Sequence, residues 1–247
     1  QRLLASVPWT VHAIAVGAGD FWQAAKRELP AALRGAFGAG TLVCIVDAYD
    51  TVLLPCGRSI PAEFAALRRD LVMPAEKTCW PVSYLCRSCE ERYGTNESAD
   101  LAACRAFPNL NSGGYIGSAS AVAEAFEWMH DQGDRIGRDD QENAWHYYNT
   151  FPQRVALDHR QRIWSTLCFA EEEKFHVKGC SIFSEYIGGE VCFAHANGGS
   201  RWLMLDPWLA ELEERGCRKR LPSRAVDAYA GLTVESPKMT LGPAGFR

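Results

Sequence analysis

Two carboxylates stand three residues apart in Asp47-Ala48-Tyr49-Asp50, directly after the continuous apolar run at residues 41–46. Close carboxylates at the end of a buried strand repel each other and lose hydration, and a divalent cation relieves both penalties. Hard oxygen ligands suit Mn²⁺ or Mg²⁺. The same spacing also serves an Asx turn or a helix N-cap, so this motif alone leaves metal binding and turn formation equally open. A second candidate is His195, which ends the apolar run 191–194 and opens His195-Ala196-Asn197-Gly198-Gly199-Ser200-Arg201. Imidazole can complete a site begun by carboxylates. The glycine pair lets backbone N–H groups approach an anion, and Arg201 can grip a phosphate with two donors. A strand-end histidine by itself is more often structural, but the Gly, Ser and Arg that follow favour an anion site.

Three further segments carry chemistry or its look-alikes. Asn111-Ser112-Gly113-Gly114, with Tyr115 and Gly117, would allow a ligand close to the backbone, but on its own it reads first as a tight turn before the Ser118 helix. Asp139-Asp140-Gln141 opens a helix, where acids meet the helix dipole favourably without any catalytic duty. Leu157-Asp158-His159 reads either as a catalytic pair or as an Asp–His hydrogen bond that orients a turn.

The elements that must position these residues alternate in type. Residues 11–16 read as a strand and 17–20 as a turn. Residues 21–37 read as a helix that Pro30 kinks or divides. Residues 41–46 have the character of a parallel strand buried on both faces. A helix is expected over 62–71 and a buried strand over 71–73. A cysteine-rich polar excursion follows over 83–108, then a glycine-rich turn over 111–117. Helices are expected over 118–132, with Ser118 as N-cap, over 139–148 and over 207–218. Short strands are expected over 154–157, 181–183 and 191–194. This alternation implies an α/β sheet with helices on both faces, which binds ligands beyond the carboxyl ends of its strands. Residues 1–220 form the expected domain, and 221–247, rich in Pro, Ser and Gly, a tail or linker.

The bulk properties exclude other classes. The chain has 247 residues, 47% hydrophobic and 23% charged, with a formal net charge of −4. No basic surplus argues for nucleic acid or an anionic membrane surface. No apolar run is long enough to span a bilayer. The start, Gln1-Arg2-Leu3-Leu4, lacks an initiator Met and a cleavage site, so a processed or incomplete fragment is expected. Ten cysteines are present, four of them clustered as Cys79, Cys86, Cys89 and Cys104. Disulfides of a secretory lumen, a zinc site and buried free thiols all fit that cluster. Asn96-Glu97-Ser98 is an N-glycosylation sequon in the same loop, which leans the reading toward the secretory pathway.

In order along the chain, the segments resemble the glycosyltransferase domain of the procollagen lysyl hydroxylases and their relatives. The resemblance rests on Asp47-Ala48-Tyr49-Asp50, Cys79-Trp80-Pro81, Leu110-Asn111-Ser112-Gly113-Gly114-Tyr115-Ile116-Gly117, Asp139-Asp140-Gln141, Leu157-Asp158-His159-Arg160 and His195-Ala196-Asn197-Gly198. It implies a GT-A fold, a Rossmann-like nucleotide-binding sheet with flanking helices. It implies Mn²⁺ on Asp47, Asp50 and His195, bridging the diphosphate of a UDP-sugar donor. Tyr49 is implied to stack on uracil, and Lys26 and Arg201 to lie near the nucleotide with Asn197 and Gly198. Asp139 and Asp140 are implied to lie beside the transferred sugar, and Asn111 and Trp80 to line the pocket. The implied partners are the nucleotide-sugar and a protein or glycan hydroxyl, hydroxylysine or galactosyl-hydroxylysine in the related enzymes. The implied compartment is the lumen of the endoplasmic reticulum or Golgi.

The sequence also departs from the family. Arg138 stands where relatives carry a third acid, Val82 replaces the acid of a Trp-Pro-Asp motif, and Trp22 and Lys26 are only four residues apart. The family's opening strand is expected before Gln1. No counterpart of the dioxygenase domain is present, so lysine hydroxylation is not expected of this chain. A catalytically inactive accessory or binding domain is the alternative reading.

Overall fold

The computed structural model describes residues 21–47 and 50–217. The strand expected at 11–16, Tyr49 and the tail from 221 lie outside the described residues. Helix Phe21–Ala36 runs through Pro30 without ending there. Strands β1 (Leu42–Val46) and β2 (Thr51–Leu53) follow, then helix Ile60–Leu67 and β3 (Leu71–Glu76). The cysteine-rich excursion folds as two short helices, Cys89–Tyr93 and Ala99–Ala106, and leads into β4 (Asn109–Leu110) and β5 (Gly114–Ser118). Helices Ala119–Gln132 and Asp140–Thr150 come next, then β6 (Val155–Asp158) and β7 (Trp164–Thr166). Strands β8 (Phe175–Lys178), β9 (Ser181–Ser184), β10 (Gly189–Glu190) and β11 (Phe193–His195) precede the last described helix, Asp206–Glu214.

Local chemistry explains the helix starts. Ser118 accepts a hydrogen bond from the Ala121 backbone N–H, and Asp139 accepts from Gln141 and Glu142, satisfying donors that an uncapped helix leaves open. In the excursion, Ser88 and Glu91 form a reciprocal capping box, and Ser98 caps the next helix. Ser98 belongs to the sequon, whose Asn96 is exposed. The cysteines are crosslinked as Cys79–Cys86 and Cys89–Cys104, which settles the cluster as disulfides. Cys56–Cys192 and Cys180–Cys217 make four in all, leaving Cys44 and Cys168 free.

The fold is mixed α/β, built on three sheets. The largest runs β1-β5-β3-β4 with β6 beside β3; the others are β10-β9-β8 and β2-β11-β7. Alternate residues of β1 face opposite ways, as a pleated strand requires. Val43 and Ile45 join Leu29, Leu33, Val122 and Phe126 beneath the two long helices. Leu42, Cys44 and Val46 join Ile60 and Phe64 on the other face, with Trp164 and Phe193 of the β2-β11-β7 sheet. Two long helices therefore cover one face, as expected, whereas the other packs mainly on the small sheet with the short helix Ile60–Leu67.

The expected parallel order is corrected. Six of the eight strand pairings among the described residues are antiparallel, the parallel ones being β3–β6 and β11–β7. β1 pairs antiparallel with β5, and only its Val43 is fully buried. β3, by contrast, is buried along its whole length. An apolar run does not reveal its own neighbours, so composition alone cannot tell which of two such runs is central. The glycine-rich stretch expected as a turn over 111–117 is also corrected. Only its first residues turn, and residues 114–118 form β5, because pairing with β1 and β3 overrides a local turn preference.

Candidate metal centre

Asp47 follows β1, and its backbone N–H donates to Gly113 O at 3.1 Å. Asp50 precedes β2, and its carbonyl accepts from Ala196 N at 2.8 Å. The β2–β11 register sets His195 opposite Thr51, one residue from Asp50. The result is a three-residue cluster whose candidate ligand atoms all lie within 4.8 Å of one another. His195 Nε2 is 3.7 Å from Asp47 Oδ2 and 3.4 Å from Asp50 Oδ1. Both ring nitrogens of His195 and Asp50 Oδ1 are buried without a hydrogen-bond partner. Buried polar atoms are rarely left so, and a cation is one thing that satisfies acid oxygens and an imidazole together. Loss of hydration pushes Asp47 up to about 6, opposed by His195 and reinforced by Asp50 and Asp140. Carboxylates so crowded favour a positive charge among them.

Gly113 makes room for the imidazole. A Cβ there would lie 2.0 Å from His195 Cε1, a separation that no side chain can occupy. Gly198 has a left-handed φ of 60°, and a Cβ there would meet Cys168 Sγ at 2.5 Å. The two glycines thus belong to one close-packed corner around His195.

Beside the triad lies a buried polar network centred on Glu76, at the end of β3. Its carboxylate accepts from Gln141 Nε2 and Asn197 Nδ2, each at 2.6 Å, from Thr78 Oγ1 at 3.1 Å and from Asn111 Nδ2 at 3.4 Å. Burial raises the Glu76 pKa, and these donors oppose that rise. Gln141 accepts from the Ser112 backbone at 3.2 Å and donates to Trp80 O at 3.2 Å. Ser112 Oγ donates to Asp140 Oδ2 at 2.8 Å. Asn111, Asn197, Asp140 and the Trp80 backbone are therefore tied into one assembly. The Trp80 indole is 60% exposed. Burial also raises Asp140, with the Ser112 hydrogen bond opposing it.

Other sequence candidates sit apart from this assembly or act locally. Asp139 caps its helix through one carboxylate oxygen, at 2.9 and 3.0 Å from the Gln141 and Glu142 nitrogens. Lys26 is fully buried, and its Nζ donates to Asn143 Oδ1 at 2.5 Å, bracing the helix that Asp139 caps. Arg201 opens a π-helical turn over Arg201–Leu205; its side chain, like Tyr49, is outside the described set. Asp158 and His159 do not form a catalytic pair. Asp158 accepts from the backbone of Arg162, Ile163 and Trp164 at 2.7–3.0 Å, and His159 Nδ1 is 2.7 Å from Phe107 O. A separate concavity is lined by Ala103, His159, Arg160 and Arg162. Its arginines are paired with Asp100 and Glu63, and His159 Nε2 there is buried without a partner.

Sequence reasoning missed Glu76, and used Gln141 and Ser112 only as parts of motifs. The signal for Glu76 was the one that singled out Asp47, an acid at the end of an apolar run.

A family model described as the PLOD GT domain matches residues 27–207. The chain belongs to this glycosyltransferase-domain family. The matched span covers most of the chain and includes every candidate site residue except Lys26, which precedes it by one position. No curated protein gives a significant match. The four disulfides of this PLOD-type domain point to an oxidising, extracytoplasmic compartment. No helix among its described residues is long and apolar enough to cross a membrane.

Proposed function

We propose that this domain is a metal-dependent glycosyltransferase of GT-A type, spanning residues 1–220, that moves glucose or galactose from a UDP-sugar to a hydroxyl acceptor. The observation that carries the reading is the convergence of Asp47, Asp50 and His195, with Asp50 Oδ1 and both His195 nitrogens unpartnered, inside the span of the family match. Two carboxylates and an imidazole suit Mn²⁺. The chemistry supplied there is Lewis-acid stabilisation of the charge that develops on the departing diphosphate.

The chain's own residues do the rest. Asp47, Asp50 and His195 would hold the cation, which would supply Lewis acidity to the diphosphate end of the donor. Asn197 and Gly198 shape the loop against it, Arg201 supplies positive charge, Tyr49 stacks on uracil, and Lys26 braces the acid-bearing helix through Asn143. Asn111 and Trp80 line the sugar pocket. Asp140, held by Ser112 at one oxygen, faces positive charge at the anomeric carbon or takes the acceptor's proton. Its raised pKa suits proton acceptance. Asp139 supports it from the helix cap. The acceptor is a protein or glycan hydroxyl, hydroxylysine-linked in a collagen-like protein, and the compartment is the lumen of the endoplasmic reticulum or Golgi.

One observation favours an inactive accessory domain instead. Arg138, in the place of a family acid, is paired with exposed Asp134 and adds no carboxylate to the pocket. Calorimetric titration with Mn²⁺ and UDP, followed by assays of UDP-glucose and UDP-galactose hydrolysis and transfer, separates the two. Mn²⁺-dependent turnover is expected; binding without turnover supports the accessory reading, and no binding sinks the metal site.

A further inference from the structure

Phe169 has no structural role that accounts for its placement. Its φ is 57°, a left-handed conformation that is costly for a bulky residue. Its side chain is 74% exposed, so no core packing repays that cost. Backbone outliers of this kind persist where the surroundings enforce them, and they gather at ligand sites.

The surroundings here are the metal loop itself. Leu167 N donates to His195 O at 3.0 Å, and Cys168 N donates to Asn197 Oδ1 at 3.1 Å. Ala170 N returns to Leu167 O at 3.1 Å, closing the turn on which Phe169 stands. Gly198 packs against the Cys168 sulfur. Asn197 is one arm of the Glu76 network. The other arm is Gln141, which holds the backbone of Trp80, the second strongly exposed aromatic of the site. Two exposed aromatic residues are thus fastened to the two arms of one buried carboxylate hub.

We infer that Phe169 is an acceptor-binding residue, its ring offering an apolar face to a C–H-rich part of the acceptor, in a sugar ring or an alkyl stem. The inference rests on the transferase reading. The triad, the acids and the Asn111–Trp80 pocket are assigned to the donor, whereas no residue assigned so far offers the acceptor a binding face. Aromatic faces bind C–H-rich surfaces, gaining from apolar burial while the hydroxyls stay free to hydrogen-bond.

The test is Phe169→Gly, with Phe169→Tyr as its control. Glycine adopts this φ without strain, so the turn is kept while the ring is lost. The assay measures Mn²⁺-dependent transfer from the preferred UDP-sugar to a hydroxylysine peptide and to its galactosylated form, which separates stem from sugar as the contact. Phe169→Gly is expected to raise acceptor KM roughly three- to tenfold, with UDP affinity and donor hydrolysis unchanged and with Phe169→Tyr near wild type. Wild-type turnover with an acceptor KM unmoved by Phe169→Gly overturns this inference alone. No turnover by the wild type sinks the transferase reading and this inference with it.

Discussion

Two groupings of acid and histidine end strands in this molecule, and they are built on opposite plans. At the end of β6, both oxygens of Asp158 are taken by backbone N–H groups, and His159 Nδ1 meets a carbonyl. At the ends of β1 and β11, Asp50 Oδ1 and both nitrogens of His195 are buried without a partner. The first grouping spends its carboxylate and one imidazole nitrogen on the chain and fixes a turn, leaving only His159 Nε2 without a partner. The second leaves Asp50 Oδ1 and both imidazole nitrogens without a partner in the chain. Residue type does not separate the two cases; the state of the hydrogen bonds does.

Substitutions at the two groupings should therefore fail differently. Asp47→Ala, Asp50→Ala and His195→Ala should each lower Mn²⁺ affinity by at least about a hundredfold. Metal-free thermal stability should stay level or rise slightly, since a crowded carboxylate or an unpaired imidazole has been removed. Asp158→Ala should instead cost about 3 kcal/mol in urea unfolding, because three buried N–H groups lose their acceptor. Equal stability losses at Asp47 and Asp158 would erase the contrast.

A smaller effect sharpens it. Gly113→Ala places a methyl group where the His195 ring sits, so the ring must move. Mn²⁺ affinity should fall about tenfold, with circular dichroism unchanged. Retained affinity would show that the ring has room the geometry denies it.

The smallest effect is the pH response of the scaffold grouping. Burial lowers His159 from 6.5 to about 4. The folded state thus prefers the neutral ring, and the stabilisation is fully present above pH 6.5 and lost as pH falls through 4. Stability measured from pH 6.5 to 5.5 should fall by about 1 kcal/mol more in the wild type than in His159→Gln. Parallel profiles would rule out His159 as the titrating group.

Much of the local architecture was legible in the residues. The Ser118 and Asp139 caps are short-range chemistry, and both helices begin where those side chains indicate. The apolar runs became strands because few other states bury them. Asp47, Asp50 and His195 were legible as ligand types at strand ends, and the order of motifs pointed to the family that the match at 27–207 bears out. Strand direction was not legible. β1 and β3 are similar apolar runs, and only pairing partners far along the chain make one partly buried and the other central.

What the sequence determined by itself was the set of local elements, the residue types available for chemistry, and the family. Tertiary structure alone decided which of those residues act together. The β2–β11 register brings His195 to Asp50 across the sheet, and Gly113 clears the space its ring needs. The same folding consumes the Asp158 carboxylate and His159 Nδ1 in backbone hydrogen bonds and gathers Glu76, Asn111, Gln141 and Asn197 into one network. The reason is physical. A side chain's type sets which bonds it can make, but only its neighbours in space determine which of those bonds are already made.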